Sequence, residues 1–212
     1  MFSSKDIFLT PPSGGYTIGK SVRLRSSASA YLNRTPSSST NRRISTFSAW
    51  IKWSLTGSSA FPEIFSAAPN GLIYKDALYF SNNTLSVIFN GGITYSLVTT
   101  QVFRDPSAWY HFVMAIDTTQ ATASNRVKLY VNGVQITAFS TANYPIQNYD
   151  PNFNSAIVHN IGRSTDANDY FDGYLTEINF IDGQALTPSS FGSTNALTGV
   201  WQPAYPCTWL EI

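Results

Sequence analysis

Hydrophobic and polar residues alternate in short runs along most of this sequence. In the clearest run, residues 47–53, Phe47, Ala49, Ile51 and Trp53 fall on one face. Alternation with a period of two predicts a β-strand that buries that face. Similar short runs predict about ten or more strands in all, including those at residues 77–80, 84–89, 93–98, 109–117, 127–136, 157–161 and 174–181.

Turn residues separate these runs. The pair Asn132-Gly133 lies between two alternating segments, and this pair favours a type I′ hairpin because both turn positions need positive φ. Ser81-Asn82-Asn83 predicts a second tight turn. Many short strands with turns between them are typical of an all-β sandwich or barrel.

The composition supports one folded domain rather than a disordered chain. Only 12% of the 212 residues are charged, but 43% are hydrophobic and 15% are aromatic, whereas disordered chains lack aromatic residues. Pro11–Gly15 and the Pro- and Trp-rich end of the chain interrupt regular structure. We therefore expect an extended N-terminal arm (residues 1–20), a β-sandwich (21–198) and an extended C-terminal tail (199–212).

The net charge of +1 gives no general attraction to nucleic acid or to a membrane surface. Residues 1–53 nevertheless carry eight Lys or Arg and one acid, which is +7 and leaves −6 for the rest. This basic segment is either a solvated face or a docking surface for an acidic partner. No apolar run reaches the roughly 18 residues of a membrane span, and the N-terminus lacks the apolar stretch of a signal peptide. One cysteine, Cys207, excludes a disulfide within the chain and leaves its own role open.

Four segments, in order, resemble the concanavalin A-like lectin/glucanase superfamily in its laminin-G-like branch. They are Phe47–Ile51, Trp109–Asp117, Val127–Gly133 and a last stretch running from Ile161-Gly162 through Tyr170–Phe180 to Ala185-Leu186-Thr187. The resemblance covers roughly residues 20–192 and implies an all-β, two-sheet antiparallel jelly-roll sandwich.

Two stretches, 103–111 and 171–191, are similar to versions of this domain in virion proteins of tailed bacteriophages. This resemblance implies a non-catalytic structural component of a virion, of the decoration or fibre type, displayed on the particle surface. Its partners would be other virion proteins, reached through the arm and the tail, and further copies of the chain. Release by lysis would explain the missing signal peptide.

Hydrolases of the superfamily need two carboxylates facing one bond. The three glutamates are Glu63, Glu177 and Glu211, and none has a carboxylate two or four residues away on the same strand face. The sequence therefore predicts a protein that is not an enzyme. Glu177 is expected to accept structural hydrogen bonds instead.

Asp166, Asn168, Asp169 and Asp172 lie in one segment before a predicted strand. Their oxygens could begin a calcium shell of six to eight ligands, and no other cofactor is expected. The alternative is an ordinary turn, in which Asp and Asn are common.

Residues 143–154, the aromatic loop, combine aromatic rings with amides and prolines. Exposed aromatics among amides mark a binding surface, so Tyr144, Asn148, Tyr149 and Asn152 are candidate ligands for a cell-surface glycan. The alternative is that these residues pack back on the sandwich as a lid. A glycan-binding adhesin for the bacterial host surface is accordingly the second functional hypothesis.

Overall fold

The computed structural model describes Tyr16 and residues 18–54, 61–69, 74–92 and 94–204. Two antiparallel sheets form a β-sandwich, which confirms the predicted fold class. In spatial order the six-stranded sheet contains β1 (Val22–Leu24), β13 (Gly173–Asp182), β3 (Ile44–Trp53), β8 (Tyr110–Asp117), β9 (Val127–Val131) and β10 (Val134–Ile136). The seven-stranded sheet contains β11 (Phe139–Asn143), β7 (Tyr95–Val102), β6 (Thr84–Phe89), β5 (Asp76–Ser81), β4 (Glu63–Ala67), β12 (His159–Ile161) and β2 (Leu32–Arg34). A separate hairpin joins β14 (Gly192–Thr194) to β15 (Trp201–Pro203).

The core lies between the two large sheets. The alternation predicted for β3 is confirmed, since Phe47, Ala49, Ile51 and Trp53 are all at most 2% exposed. Rings stack from one sheet to the other, with 4.8 Å between the Phe47 and Phe65 centroids. Stacked aromatics add to the free energy of apolar burial, so the two sheets hold each other without disulfides.

Both predicted turns are confirmed by backbone conformation. Asn132 and Gly133 have φ of 47° and 84° and connect β9 to β10, while Asn82 and Asn83, with φ of 48° and 67°, connect β5 to β6. Positive φ at both central residues is the requirement of a type I′ turn.

The β14–β15 hairpin covers the outer face of the six-stranded sheet. The Trp201 ring stacks on His111 with centroids 5.9 Å apart, and His111 stacks on Trp50 at 4.9 Å. Residues 201–203 belong to the segment expected to be an extended tail, and they form a strand there. Residues 205–212, with Cys207, lie outside the described residues, as do residues 1–15 and 17 of the predicted arm. No helix in the described part of the chain is long and apolar enough to span a membrane.

Burial keeps His111 neutral, and its two hydrogen-bond partners decide its tautomer. The Trp201 indole Nε1 donates to His111 Nδ1 at 3.0 Å, and Ser48 Oγ lies 2.9 Å from Nε2. Because an indole N–H can only donate, Nδ1 must be the unprotonated acceptor, so Nε2 carries the hydrogen and donates to Ser48. Burial lowers the pKa of His111 to about 4, below its ordinary value of 6.5.

We expect acid to weaken the fold through His111. Its pKa is lower in the folded than in the unfolded chain, so its contribution is present above about pH 6.5 and is lost as pH falls toward 4. Between pH 7 and 4.5 wild type should lose about 2 kcal/mol more stability than His111→Gln, measured by urea unfolding at each pH. Equal pH dependence in the two proteins would contradict this assignment.

Candidate functional site

The tyrosines of the aromatic loop pack inward. Tyr149 makes T-shaped contacts with Tyr95 and Phe89, with centroids 5.0 and 6.2 Å apart, and Tyr144 makes one with Phe139 at 6.4 Å. Both tyrosines are half-buried against the core, and burial raises the pKa of Tyr149. Of the two alternatives for this loop, the described contacts support packing back on the sandwich.

The amides of the same loop differ in their surroundings. Asn148 is exposed with φ of 62°, and its backbone N–H donates to the Thr118 carbonyl at 2.8 Å. Asn152 is held by Asp76: its backbone N–H donates to Asp76 Oδ2 at 2.5 Å and its side-chain Nδ2 to Oδ1 at 3.3 Å. The donors of Asn152 are therefore already used in hydrogen bonds to Asp76. These bonds anchor the aromatic loop to β5.

Asp76 is fully buried at the start of β5. Burial raises its pKa to about 7, against the opposing effect of hydrogen bonds from Asn90 and Asn152. Its two oxygens together accept three hydrogen bonds from Asn90 and Asn152. This carboxyl therefore links two loops to the seven-stranded sheet.

The four candidate calcium ligands differ in their partners. Asp172 accepts hydrogen bonds from Arg23 at 2.7 Å, Ser54 at 2.7 Å and Ser26 at 3.1 Å, and these hold its pKa below the ordinary value despite partial burial. Asp166 accepts from Asn168 at 3.4 Å. Within the described residues, no three His, Cys, Asp or Glu side chains are placed to hold a metal ion. The calcium site stays a prediction, and at Asp172 the positive charge is already supplied by Arg23.

A different cluster, not predicted from the sequence, surrounds Glu63 at the start of β4. Glu63 is 1% exposed and forms an ion pair through Oε1 with the ammonium of Lys75, which directly precedes β5. Lys75 Nζ also donates to Ser164 Oγ at 3.1 Å. The other carboxylate oxygen, Glu63 Oε2, is buried without a hydrogen-bond partner in the described structure.

Burial dominates the ionisation of Glu63. It raises the pKa of Glu63 to about 7, although Lys75 acts in the opposite direction. Burial also lowers the pKa of Lys75, but the carboxylates of Glu63, Asp166 and Asp169 reverse this and raise it overall. A buried carboxyl with a strongly shifted pKa and an unused oxygen is a candidate binding group.

The ion pair opens into a cavity of about 160 Å³, which we call the Glu63 cavity; its lining residues are Phe61, Glu63, Lys75, Tyr79 and Ile88. Leu78 and Phe80 point to the core, so Tyr79 between them lies on the outer face of the seven-stranded sheet. Phe61 is 49% exposed and meets Tyr79 edge to face at 5.9 Å. An exposed ring thus stands beside a buried ion pair.

Comparison with known proteins identifies the family. Residues 26–190, more than three quarters of the chain, match a laminin-G-like family model described as the concanavalin A-like lectin/glucanases superfamily. The chain belongs to this superfamily. No curated protein matches the sequence significantly.

Solved structures share the concanavalin A-like fold. The native heptameric SAP-like pentraxin from Limulus polyphemus aligns with a TM-score of 0.55 and 16% identity, over 84% of this chain and 90% of the pentraxin chain. Domains LG4-5 of the mouse laminin alpha1 chain align with a TM-score of 0.54 and 12% identity, over 81% of this chain and 44% of that chain. At such identities the likeness shows the fold.

Glu177 of this concanavalin A-like domain has the structural role expected of it. It accepts a hydrogen bond from Tyr16 Oη at 2.5 Å, and it has φ of 47° at the point where the β13–β3 register shifts. Such a strained residue in a strand marks a bulge. Here the bulge places the carboxylate against the described part of the N-terminal segment.

A larger depression, of about 220 Å³, lies on the six-stranded sheet beside Asp117, Lys128 and Tyr130. Asp117 accepts hydrogen bonds from Thr119 Oγ1 at 2.5 Å and Gln120 Nε2 at 2.6 Å, and these help keep its pKa low. The carboxylate of Asp117 already has hydrogen-bond partners and is mostly solvated, whereas Glu63 Oε2 is buried and has none among the described residues. The Glu63 cavity is therefore the better candidate for a binding site.

Proposed function

We propose that this chain is a non-catalytic, lectin-like module that binds carbohydrate in the Glu63 cavity. The observation that carries the proposal is the placement of an exposed Phe61 ring beside a buried carboxylate oxygen that has no hydrogen-bond partner among the described residues. Binding cavities combine aromatic walls with a few convergent polar groups, and this one has both.

The chemistry of the cavity suits a sugar. One face of a sugar ring presents C–H groups of slight positive charge, which pack against the negative face of an aromatic ring. The hydroxyls at the ring edge need hydrogen-bond partners when they leave water. Phe61 and Tyr79 supply the aromatic contact, and Glu63 and Lys75 supply the hydrogen bonds to the hydroxyls.

Several features support binding rather than cleavage. Glycoside hydrolysis needs an acid and a second carboxylate free to act on the opposite side of the bond. In the Glu63 cavity the residue facing Glu63 is Lys75, and the carboxylates of Asp166 and Asp169 act on that same ammonium. The carboxylates of Asp166 and Asp169 therefore interact with the charge of Lys75 and do not serve as the second carboxylate of a hydrolase.

Phe61→Ala tests the site. We expect this variant to lose roughly tenfold or more of the affinity for any glycan that wild type binds, because the stacking surface is removed. The measurement is a glycan array followed by calorimetric titration of the best ligand. Trp109→Ala is the matched control, since Trp109 is a partly exposed aromatic (36%) outside the cavity lining.

Binding that survives Phe61→Ala but is lost in Trp109→Ala would place the site elsewhere. Loss of binding in Tyr144→Ala with the fold intact would restore the aromatic loop as the site. No binding of any glycan by the wild-type chain would reject the carbohydrate proposal.

We further propose that the module is displayed on the surface of a bacteriophage virion, bound to other virion proteins and to copies of itself. The similarity of residues 103–111 and 171–191 to virion proteins supports this role. So do large apolar side chains near the β14–β15 hairpin, where Leu197, Val200 and Val134 are 86%, 61% and 68% exposed. Contact surfaces form where exposed apolar groups lie together, and we propose that these three side chains form such a surface.

The double variant Leu197→Ser/Val200→Ser tests the assembly role. We expect it to keep the wild-type melting temperature within a few degrees, because both side chains are exposed, and to lose incorporation into particles and self-association in sedimentation. Ile146→Ser, which changes an equally exposed residue of the aromatic loop, is the control. Normal incorporation of the double variant would reject this surface.

A further inference from the structure

We propose that the Glu63 cavity selects a neutral sugar and holds neighbouring hydroxyls of one ring between Glu63 Oε2 and Lys75 Nζ. This inference rests on the proposed function, and it adds the chemical class of the ligand. It follows from the donors and acceptors that the cavity leaves unused, from the charges around it and from its size.

Among the described residues, the Glu63–Lys75 ion pair itself leaves one acceptor and one donor unused. Glu63 Oε1 is occupied by Lys75, while Oε2 is buried and without a partner in the described structure. Ser66 lies close enough to lower the pKa of Glu63, but its single hydroxyl hydrogen is donated to the Arg163 carbonyl at 2.8 Å and does not satisfy Oε2. An ammonium has three N–H donors, and Lys75 uses two of them, toward Glu63 and Ser164.

A hydroxyl group fits this pair of unused atoms. It can donate its hydrogen to Glu63 Oε2 and accept the third N–H of Lys75, and two adjacent hydroxyls of a ring can divide these tasks. A sugar carboxylate has no hydrogen to give to Oε2. A sugar ammonium has no lone pair with which to accept from Lys75.

The surrounding charges also favour a neutral sugar as the ligand. The carboxylates of Glu63, Asp166 and Asp169 interact with the one ammonium of Lys75. This acidic excess repels an anionic sugar that enters the buried site. A cationic sugar is attracted by the excess, but its charge would have to lie next to the buried ammonium of Lys75.

The size of the cavity limits the ligand to one ring. A volume of about 160 Å³ is well below the roughly 300–1,000 Å³ of cavities that enclose larger ligands. The half-exposed Phe61 forms the outer wall, where the rest of a glycan can continue into solvent. The inferred ligand is therefore a terminal neutral sugar residue.

Ionisation of Glu63 gives this inference a pH dependence. Burial raises the pKa of Glu63 to about 7, while Lys75 and Ser66 lower it and Asp169 raises it further. Tyr79 is the other titratable residue of the lining besides Lys75, and burial raises its pKa too. Below pH 7 a proton on Oε2 turns this atom from a hydrogen-bond acceptor into a donor. Affinity should fall about tenfold as pH is lowered from about 8 to about 6.

The test uses the full chain and ligands that differ in one group. Methyl glycosides of glucose, galactose and mannose are titrated while the amide resonances of residues 61–66 and 75–79 are followed by NMR. We expect at least one neutral glycoside to bind roughly tenfold or more tightly than its matched uronic acid and its matched 2-amino sugar. Removal of one hydroxyl in a deoxy series should weaken that glycoside roughly tenfold at one or two ring positions.

Protein variants complete the experiment. Glu63→Gln should weaken the neutral glycoside and remove the pH dependence, and Glu63→Gln/Lys75→Gln, which leaves no unpaired buried charge, keeps this result interpretable if the single variant is unstable. Glycan binding that is lost in Phe61→Ala but prefers the uronic acid or the amino sugar would overturn this inference and leave the proposed function standing. Glycan binding that leaves residues 61–66 and 75–79 unperturbed would overturn the inference and the cavity together.

Discussion

Phe153→Ala is expected to lower the free energy of unfolding by about 4 kcal/mol, the usual loss when a fully buried phenylalanine is truncated. Phe153 is 0% exposed although it comes from the aromatic loop. Its ring stacks on Phe65 with 4.8 Å between centroids and meets Phe89 edge to face at 6.2 Å. The cavity left by alanine would remove contacts with two strands at once.

Urea unfolding followed by tryptophan fluorescence measures this loss. Ile146→Ala is the matched control, because Ile146 belongs to the same loop and is 61% exposed, and it should change stability by no more than about 0.5 kcal/mol. A loss below about 1 kcal/mol for Phe153→Ala would show that the loop does not pack on the core as described. The loop would then be available again as a glycan-binding surface.

Gly133→Ala is expected to cost about 3 kcal/mol, from two causes that act together. Gly133 has φ of 84° in the β9–β10 turn, where an L-residue is strained. A Cβ at this position would also lie 2.5 Å from Cε3 of Trp201. The indole would have to move, and its hydrogen bond to His111 would be lost.

Gly183→Ala separates the two causes. Gly183 has φ of 72°, but a Cβ there meets nothing within 4 Å, so this variant should show only the backbone cost of about 1 kcal/mol. Thermal unfolding of both variants gives the comparison, and the near-ultraviolet circular dichroism of Trp201 should change in Gly133→Ala alone. Equal losses of stability in the two variants would mean that the position of Trp201 does not depend on the β9–β10 turn.

The neighbouring residues Lys75 and Asp76 connect the Glu63 cavity with the aromatic loop. Lys75 forms an ion pair with Glu63 in the cavity, whereas Asp76 accepts the hydrogen bonds of Asn152. One end of β5 therefore supports both the proposed binding site and the aromatic loop. A change in the aromatic loop that displaces Asp76 should therefore also displace Lys75, and with it the ion pair in the Glu63 cavity.

The sequence by itself determined the strands of six or more residues, two turns and the family. The alternation in residues 47–53 identified the side chains of β3 that face the core, because a strand places every second residue on one face. The Asn132-Gly133 turn followed from its need for positive φ. These features depend on residues close together in the sequence, where local backbone rules decide the outcome.

Only the tertiary structure decided what covers each face and which charges meet. Alternation cannot show that the outer side of β8 is covered by Trp201 and Phe191, or that Tyr149 turns toward Tyr95. Glu63 and Lys75 are twelve positions apart, and they meet once β4 pairs with β5, the strand that Lys75 directly precedes. The free energy of burying an ion pair or a ring depends on neighbours from distant segments, which no local pattern in the sequence specifies.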